Sequence, residues 1–241
     1  MLAVITGTVR PSLQMKQLTL RDENERLRQY EESIRFFLGS GAFSKVVFCE
    51  NSNYGTEMIS GLWKVAEDNG VQMELLSFQG NTENACIHGK GYGEGEIMKY
   101  VFSHSQIAHA EPYFVKITGR LKVDNIRDIV IRMDQGRTYF NIPNRTRRDI
   151  YDTRIYGMPV RQFRELFMDG YEQVMDEEGI FLEMVYTRIL RDNMIQVTNF
   201  PRYPRLAGMS GSGGLVYSYT EWKCRIRDIF SRMNLYKVKL F

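Results

Sequence analysis

Gly89-Lys90-Gly91-Tyr92-Gly93-Glu94-Gly95 runs straight into the helix-like segment Glu94 to Ser103, and a strand-like run from Tyr113 ends in Lys116-Ile117-Thr118-Gly119-Arg120. A helix feeding an apolar strand with a polar crest is one unit of an α/β fold. In open sheets of this kind ligands sit beyond the carboxyl ends of the strands, where helix N-termini and loop amides offer N–H donors to anions. The two segments are therefore expected to wall a single cleft, with the glycines as a ligand-holding loop.

The flanking sequence extends the pattern. Leu2-Ala3-Val4-Ile5 reads as a buried strand stopped by Gly7, with a crest loop from Thr6 to Pro11. Asp22 to Leu38 places Leu27, Tyr30, Ile34, Phe37 and Leu38 near helical spacing, ahead of Gly39 and Gly41. Lys45 to Cys49 is a second strand ending in Glu50-Asn51-Ser52-Asn53, Thr56 to Asn69 a helix, and Val71 to Phe78 a third strand ending in Gln79-Gly80-Asn81. Strands alternating with helices predict βαβ units, parallel strands and crest loops at one edge. Gly7-Thr8, Glu50-Asn51, Gln79-Gly80-Asn81 and the Gly89 loop should then surround one crevice.

Downstream the pattern is less regular. Ile126 to Met133 reads as helix or strand, and Thr138 to Phe140 and Asp152 to Gly157 as short strands. Arg161 to Met175 and Gly179 to Arg191 read as helices, Asn199 to Gly214 as a loop, and Thr220 to Met233 as a last helix with Thr220 as N-cap.

With 241 residues, 43% hydrophobic and 25% charged, the chain fits one large α/β domain or two small ones, and is read as one. Its 32 basic and 29 acidic residues leave an excess too small for a nucleic-acid footprint, so no nucleic-acid partner is expected. Basic residues cluster instead at Arg145, Arg147, Arg148 and Arg154, and along the C-terminal helix. Cys49, Cys86 and Cys224 show no CxxC spacing, which argues against a disulfide framework or a zinc site and for a reducing cytoplasm. Neither a signal peptide nor a membrane-length apolar stretch is read. His88, His104 and His109 stand in no metal-site spacing.

The glycine run lacks both the GK[ST] ending of a P-loop and the GxGxxG spacing. A turn capped by Glu94 would explain part of it, but three alternating glycines exceed what one turn requires. Lys116 and Arg120, at a crest in the middle of the sheet, suit a phosphate or sugar. Asp152-Thr153-Arg154 reads equally as edge polarity or as function, and Glu183 either lies on a wet helix face or is a buried carboxylate with a raised pKa. Ser210 to Gly214 resembles a flexible lid or linker without a GxSxG context.

The strand into Gly7-Thr8, Val46 to Ser52, Gly89 to Glu96 and Phe114 to Arg120 resemble small glycosyltransferase-like proteins of bacterial surface-polysaccharide synthesis, over roughly residues 1 to 160. The resemblance implies a GT-A-like (Rossmann-like) α/β domain with a mostly parallel central sheet flanked by helices. It implies a nucleotide-binding half over about 1–125, an acceptor half over about 126–218 and a C-terminal helix over 219–241. A nucleotide-sugar donor would meet Gly7, Thr8, Arg10, Glu50, Asn51, Gln79, Gly80, Asn81, Lys90, Gly91, Gly93, Lys116, Thr118, Gly119, Arg120 and Arg154. The acceptor would be a glycan or a lipid-linked sugar.

One departure is plain: no two aspartates stand two apart, so the metal-holding DxD of such enzymes is missing, and Glu94-Gly95-Glu96 is the nearest paired spacing. Mg²⁺ or Mn²⁺ is left open. Lys116, Arg120 and Arg154 would instead face the departing phosphate, where arginine can grip oxygens in a bidentate fork. If transfer inverts the anomeric centre, a carboxylate must take the acceptor's proton, and the candidates in order are Asp152, Glu94 and Glu183. The alternative is a non-catalytic nucleotide- or glycan-binding protein. Trp222, Ile226, Ile229, Phe230 and Met233 alternate with Lys223, Arg225, Arg227 and Arg232, a pattern compatible with an anionic membrane surface or with a helix packed on the domain.

Overall fold

Four apolar strands, β1 (Leu2–Gly7), β2 (Lys45–Glu50), β3 (Gln72–Ser77) and β4 (Tyr113–Thr118), lie parallel in the order β3-β2-β1-β4. The computed structural model describes residues 1–15, 20–55, 59, 61–141, 150–209 and 216–232. Every β1 residue is buried because helices cover both faces of the sheet, which is why these strands read as continuous apolar runs. Ala3 and Ile5 pack with Tyr30, Ile34 and Phe37 of α1 (Glu23–Gly39), while Leu2 and Val4 pack with Ile97, Met98 and Val101 of α4 (Lys90–His104). Two cores thus sandwich one sheet.

Beyond β4 the sheet continues through β7 (Asp152–Pro159), β6 (Thr138–Asn141) and β8 (Val197–Thr198). Only β7 runs against the rest, so the seven-stranded sheet is mostly parallel and Rossmann-like, as expected. A smaller antiparallel sheet joins β5 (Leu121–Val123), β9 (Leu206–Met209) and β10 (Val216–Tyr217). The other described α-helices are α2 (Leu62–Asp68), α3 (Thr82–His88), α5 (Gln106–Ala110), α6 (Ile126–Val130), α7 (Val160–Gln162), α8 (Leu182–Asp192) and α9 (Glu221–Arg232).

Three expectations are corrected. The glycine run is not a loop: α3 gives way to α4 at Gly89, in the left-handed region at φ 94°, and Gly91, Gly93 and Gly95 lie inside α4. Added β-carbons there would come within 2.8 Å of Leu182 and 3.2 Å of Asn51, and would overlap Tyr171 at Gly95. These glycines admit neighbouring elements rather than a ligand loop. The single helix expected over Arg161 to Met175 is broken into α7, a π-helical turn over Phe163–Phe167 and a 3₁₀ turn over Gly170–Gln173, where Gly170 closely approaches Ile189. The expected loop over Asn199 to Gly214 contains β9, which pairs with β5. Arg145, Arg147, Arg148 and Ser210 to Gly214 lie outside the described residues, as do 56–58 and 60 of the second expected helix.

Candidate active site

The carboxyl ends of the parallel strands open on a crevice with two compartments. The first, of about 600 Å³, is walled by Gly7, Thr8 and Arg10 after β1, Asn51 after β2, and Gln79, Gly80 and Asn81 after β3. Lys90, Gly93 and Glu94 of α4, Thr118 and Arg120 at the end of β4, and Arg26 and Tyr30 of α1 close it. The second, of about 670 Å³, lies between α4, Gly119, Thr153 and Arg154 of β7, the start of α8, and Met209 and Tyr217 of the small sheet; Gly91 belongs here. Lys90, Glu94 and Thr118 border both, so the two are halves of one cleft. The crest loops converge as the sequence leads one to expect, because parallel strands with their crossovers leave all their carboxyl ends at one edge.

Glu50 is placed elsewhere. Its buried carboxylate accepts from the N–H groups of Ser52 and Tyr54, each at 2.8 Å, and from the hydroxyls of Ser52 and Ser77. It shapes the crest after β2 and does not line the crevice. Asn51 meets the Thr8 hydroxyl at 2.7 Å, tying two crests together.

The first compartment concentrates positive charge. Arg26, 4% exposed, donates from Nε and Nη2 to the Thr8 carbonyl at 2.9 and 2.5 Å and from Nη1 to the Leu20 carbonyl at 3.1 Å. Arg120, 7% exposed at φ 65°, lies over the Tyr30 ring at 5.8 Å; its Nη1 donates to Gln29 at 3.3 Å, and its buried Nε has no partner. All these partners are neutral. Burial lowers the Arg26 pKa, opposed by Tyr30 and aided by the Arg120 charge. Lys90 is lowered to about 8 by burial and by the charges of Arg26 and Arg120, against the pull of Asp176.

At the junction the chemistry changes sign. Lys116 is fully buried, and its Nζ donates to Glu94 Oε1 at 2.5 Å, Thr118 Oγ1 at 2.7 Å and the Thr153 carbonyl at 2.9 Å. With all three N–H groups occupied it cannot face a phosphate, contrary to expectation. Burial lowers its pKa, and the adjacent Glu94 opposes the shift. Arg154 is likewise engaged, with Nε at 2.9 and 3.0 Å from the Asp152 oxygens and its guanidinium over the Tyr217 ring at 4.8 Å. Asp152, 4% exposed, is held by that pair and does not reach the crevice.

Glu183 does reach it, in the first turn of α8, with the Thr153 hydroxyl donating to Oε1 at 3.1 Å. Burial raises its pKa, against the helix N–H that favours its charge, and Glu94 and Asp152 push the same way as burial. Asp176 also lines the second compartment; it accepts from the Lys90 backbone N–H and occupies the space a β-carbon at Gly89 would need.

Arg26, Tyr30 and Asp176 were missed by sequence reasoning. Arg26 had a signal, since it stands one turn before Tyr30 on the apolar stripe of α1, where a cation is out of place. Among the described residues no three His, Cys, Asp or Glu side chains gather as a metal-ligand set. No described helix is long and apolar enough to cross a membrane.

No family model and no curated protein sequence matches the chain. Solved structures do share its fold. A protein described as a nucleotide-diphospho-sugar transferase from Desulfovibrio desulfuricans G20 is 10% identical over 83% of this chain and 78% of its own, with a TM-score of 0.50. The apo-form glycosyltransferase GlyE of Streptococcus pneumoniae TIGR4 is 10% identical over 81% of this chain and 44% of its own, also at 0.50. A nucleoside-diphosphate-sugar pyrophosphorylase from Vibrio cholerae RC9 overlaps at 0.48, with 11% identity over 83% of this chain and 91% of its own. At such identities the likeness defines a fold: a Rossmann-like α/β architecture also found in nucleotide-diphospho-sugar transferases.

Proposed function

We propose that this protein transfers a sugar from a nucleotide-sugar donor to a glycan or lipid-linked acceptor, as a GT-A-like enzyme of cell-surface polysaccharide synthesis. The observation that carries the reading is Arg120: a buried guanidinium with an unpartnered Nε, beside Arg26 and Lys90, in a compartment at the strand carboxyl ends. A buried guanidinium without an anion is costly, and a diphosphate offsets that cost while gaining charge-assisted hydrogen bonds.

As the sugar departs, negative charge grows on the leaving phosphate, and fixed donors facing it lower the barrier. Arg120, whose Nε has no partner, takes this role with the charges of Arg26 and Lys90 beside it, in place of Lys116 and Arg154, which are paired with Glu94 and Asp152. Gly7, Thr8, Arg10, Asn51 and Gln79 to Asn81 would hold the nucleoside. This cationic donor set does not suit a divalent ion.

The acceptor occupies the second compartment, where Glu183 takes the hydroxyl proton onto its carboxylate; a raised pKa suits a general base. Glu94, fixed between Lys116 and Thr118, orients the sugar at the junction. The donor half falls in about residues 1–125 and the acceptor half in about 126–218. Free Cys49, Cys86 and Cys224 support a cytoplasmic setting.

The test is the melting temperature with a panel of nucleotide sugars, with and without EDTA, followed by assay for released nucleoside diphosphate. A donor-induced rise that survives EDTA, followed by turnover, supports the proposal. No rise with any donor or with pyrophosphate overturns it, and a rise without turnover leaves a nucleotide-binding protein.

A further inference from the structure

Helix α9 is built inside out. Cys224, Asp228 and Ser231 face the body: Cys224 and Asp228 are buried, Asp228 accepts from the Tyr203 N–H at 2.6 Å and pairs with Arg205, and the Ser231 hydroxyl donates to the Phe200 carbonyl at 2.7 Å. At about 100° per residue the opposite side carries Trp222, Ile226 and Ile229, which are 60%, 39% and 53% exposed. Lys223 and Arg225, both exposed, flank this stripe on either side.

The carboxylate turned inward is satisfied by Arg205 and the Tyr203 N–H, and the apolar stripe is left open to an occupant. We infer that α9 lies in the surface of an anionic lipid bilayer, with Trp222, Ile226 and Ile229 in the headgroup–acyl boundary and Lys223 and Arg225 against lipid phosphates. The observations favour a bilayer over a protein. Three side chains on a helix about 18 Å long fall well short of the roughly 800 Å² per partner that a stable protein interface buries. An apolar face with Trp at its end, Lys223 on one margin and Arg225, 3.5 Å from Glu221, on the other fits the chemistry of an interfacial helix. Tyr217, which lines the second compartment, precedes α9 by only a few residues, so a seated α9 holds that compartment close to lipid. The inference needs no donor and stands apart from the proposed transfer.

The experiment is co-sedimentation of the full chain with phosphatidylcholine vesicles and with phosphatidylcholine/phosphatidylglycerol vesicles, alongside Trp222 emission in a Trp63→Phe background. The wild type is expected to pellet with the anionic vesicles, with a blue shift of Trp222. Trp222→Ser/Ile226→Ser/Ile229→Ser should abolish pelleting. Lys223→Glu/Arg225→Glu should weaken it by about thirtyfold or more, at roughly 1 kcal/mol per basic residue. Absence of wild-type pelleting, equal pelleting of the triple variant, or a concentration-dependent dimer that the triple variant loses would overturn the inference. The last result would make the stripe a self-association face. Should the triple variant fail to fold, the charge variant and the emission shift decide. A pyrophosphate-induced rise in melting temperature, measured on the same samples, reads the donor site independently.

Discussion

Replacing Arg120 with methionine separates a ligand-binding cation from a structural one. In the free protein Arg120 makes one long hydrogen bond, at 3.3 Å to Gln29, and stacks on Tyr30, a contact worth up to about 2 kcal/mol at a buried site. Against this stand an unpartnered buried Nε, costing about 1–3 kcal/mol, and repulsion from Arg26 and Lys90. Methionine keeps the apolar contact and removes the charge, so the free variant should be as stable as the wild type or up to about 2 kcal/mol more stable. That corresponds to a gain of zero to about 6 °C for a chain of this size. A hydrogen bond to a charged group contributes about 1.5–3 kcal/mol, so pyrophosphate or nucleoside diphosphate affinity should fall by about 10- to 150-fold. Calorimetric titration and thermal melting of the same preparations measure both. A variant that melts several degrees lower yet binds pyrophosphate like the wild type would refute the reasoning, because Arg120 would then be a structural residue.

Pyrophosphate affinity of the wild type should weaken between pH 7 and 9, as Lys90 loses its proton near 8, while Lys90→Arg should stay flat across that range by titration. The sign for folding is opposite: with the Lys90 pKa lowered, the unfolded chain binds more protons above pH 8, so this group adds stability as pH rises from about 8 towards its unfolded value. Glu183→Gln should lower kcat by about 10²–10⁴ without changing donor affinity, and the wild-type rate should rise with pH through the raised Glu183 pKa, both read from nucleoside diphosphate release. Lys116→Met should destabilise by about 3–5 kcal/mol in urea unfolding by leaving Glu94 unpaired, and Glu94→Gln in the same chain should restore part of the loss. Gly95→Ala, normally favourable in a helix, should instead cost about 1–3 kcal/mol against Tyr171, whereas Gly39→Ala, with open space around it, should be neutral or stabilising in the same assay.

The alternation of apolar strands and helices in the first half of the chain determined the parallel sheet and the convergence of its crest loops, because the strand period and the handedness of crossovers are local rules. Gly7, Thr8, Asn51 and Gln79 to Asn81 could therefore be assigned to one crevice from the sequence. The Asp152–Arg154 pair was also within reach, since residues two apart on a strand share a face, yet the cation was read as a phosphate ligand. Only tertiary structure decided which cations stay available for an anion. Lys116 and Arg120 both belong to the end of β4, but Lys116 meets Glu94, 22 residues away on α4, and is neutralised, while Arg120 turns towards Arg26 and lacks an anion. The glycines of α4 were misread for the same reason. The closest neighbours of Gly91 and Gly95, Leu182 and Tyr171, come from the far half of the chain, and close packing between distant segments leaves no periodic mark in a single sequence.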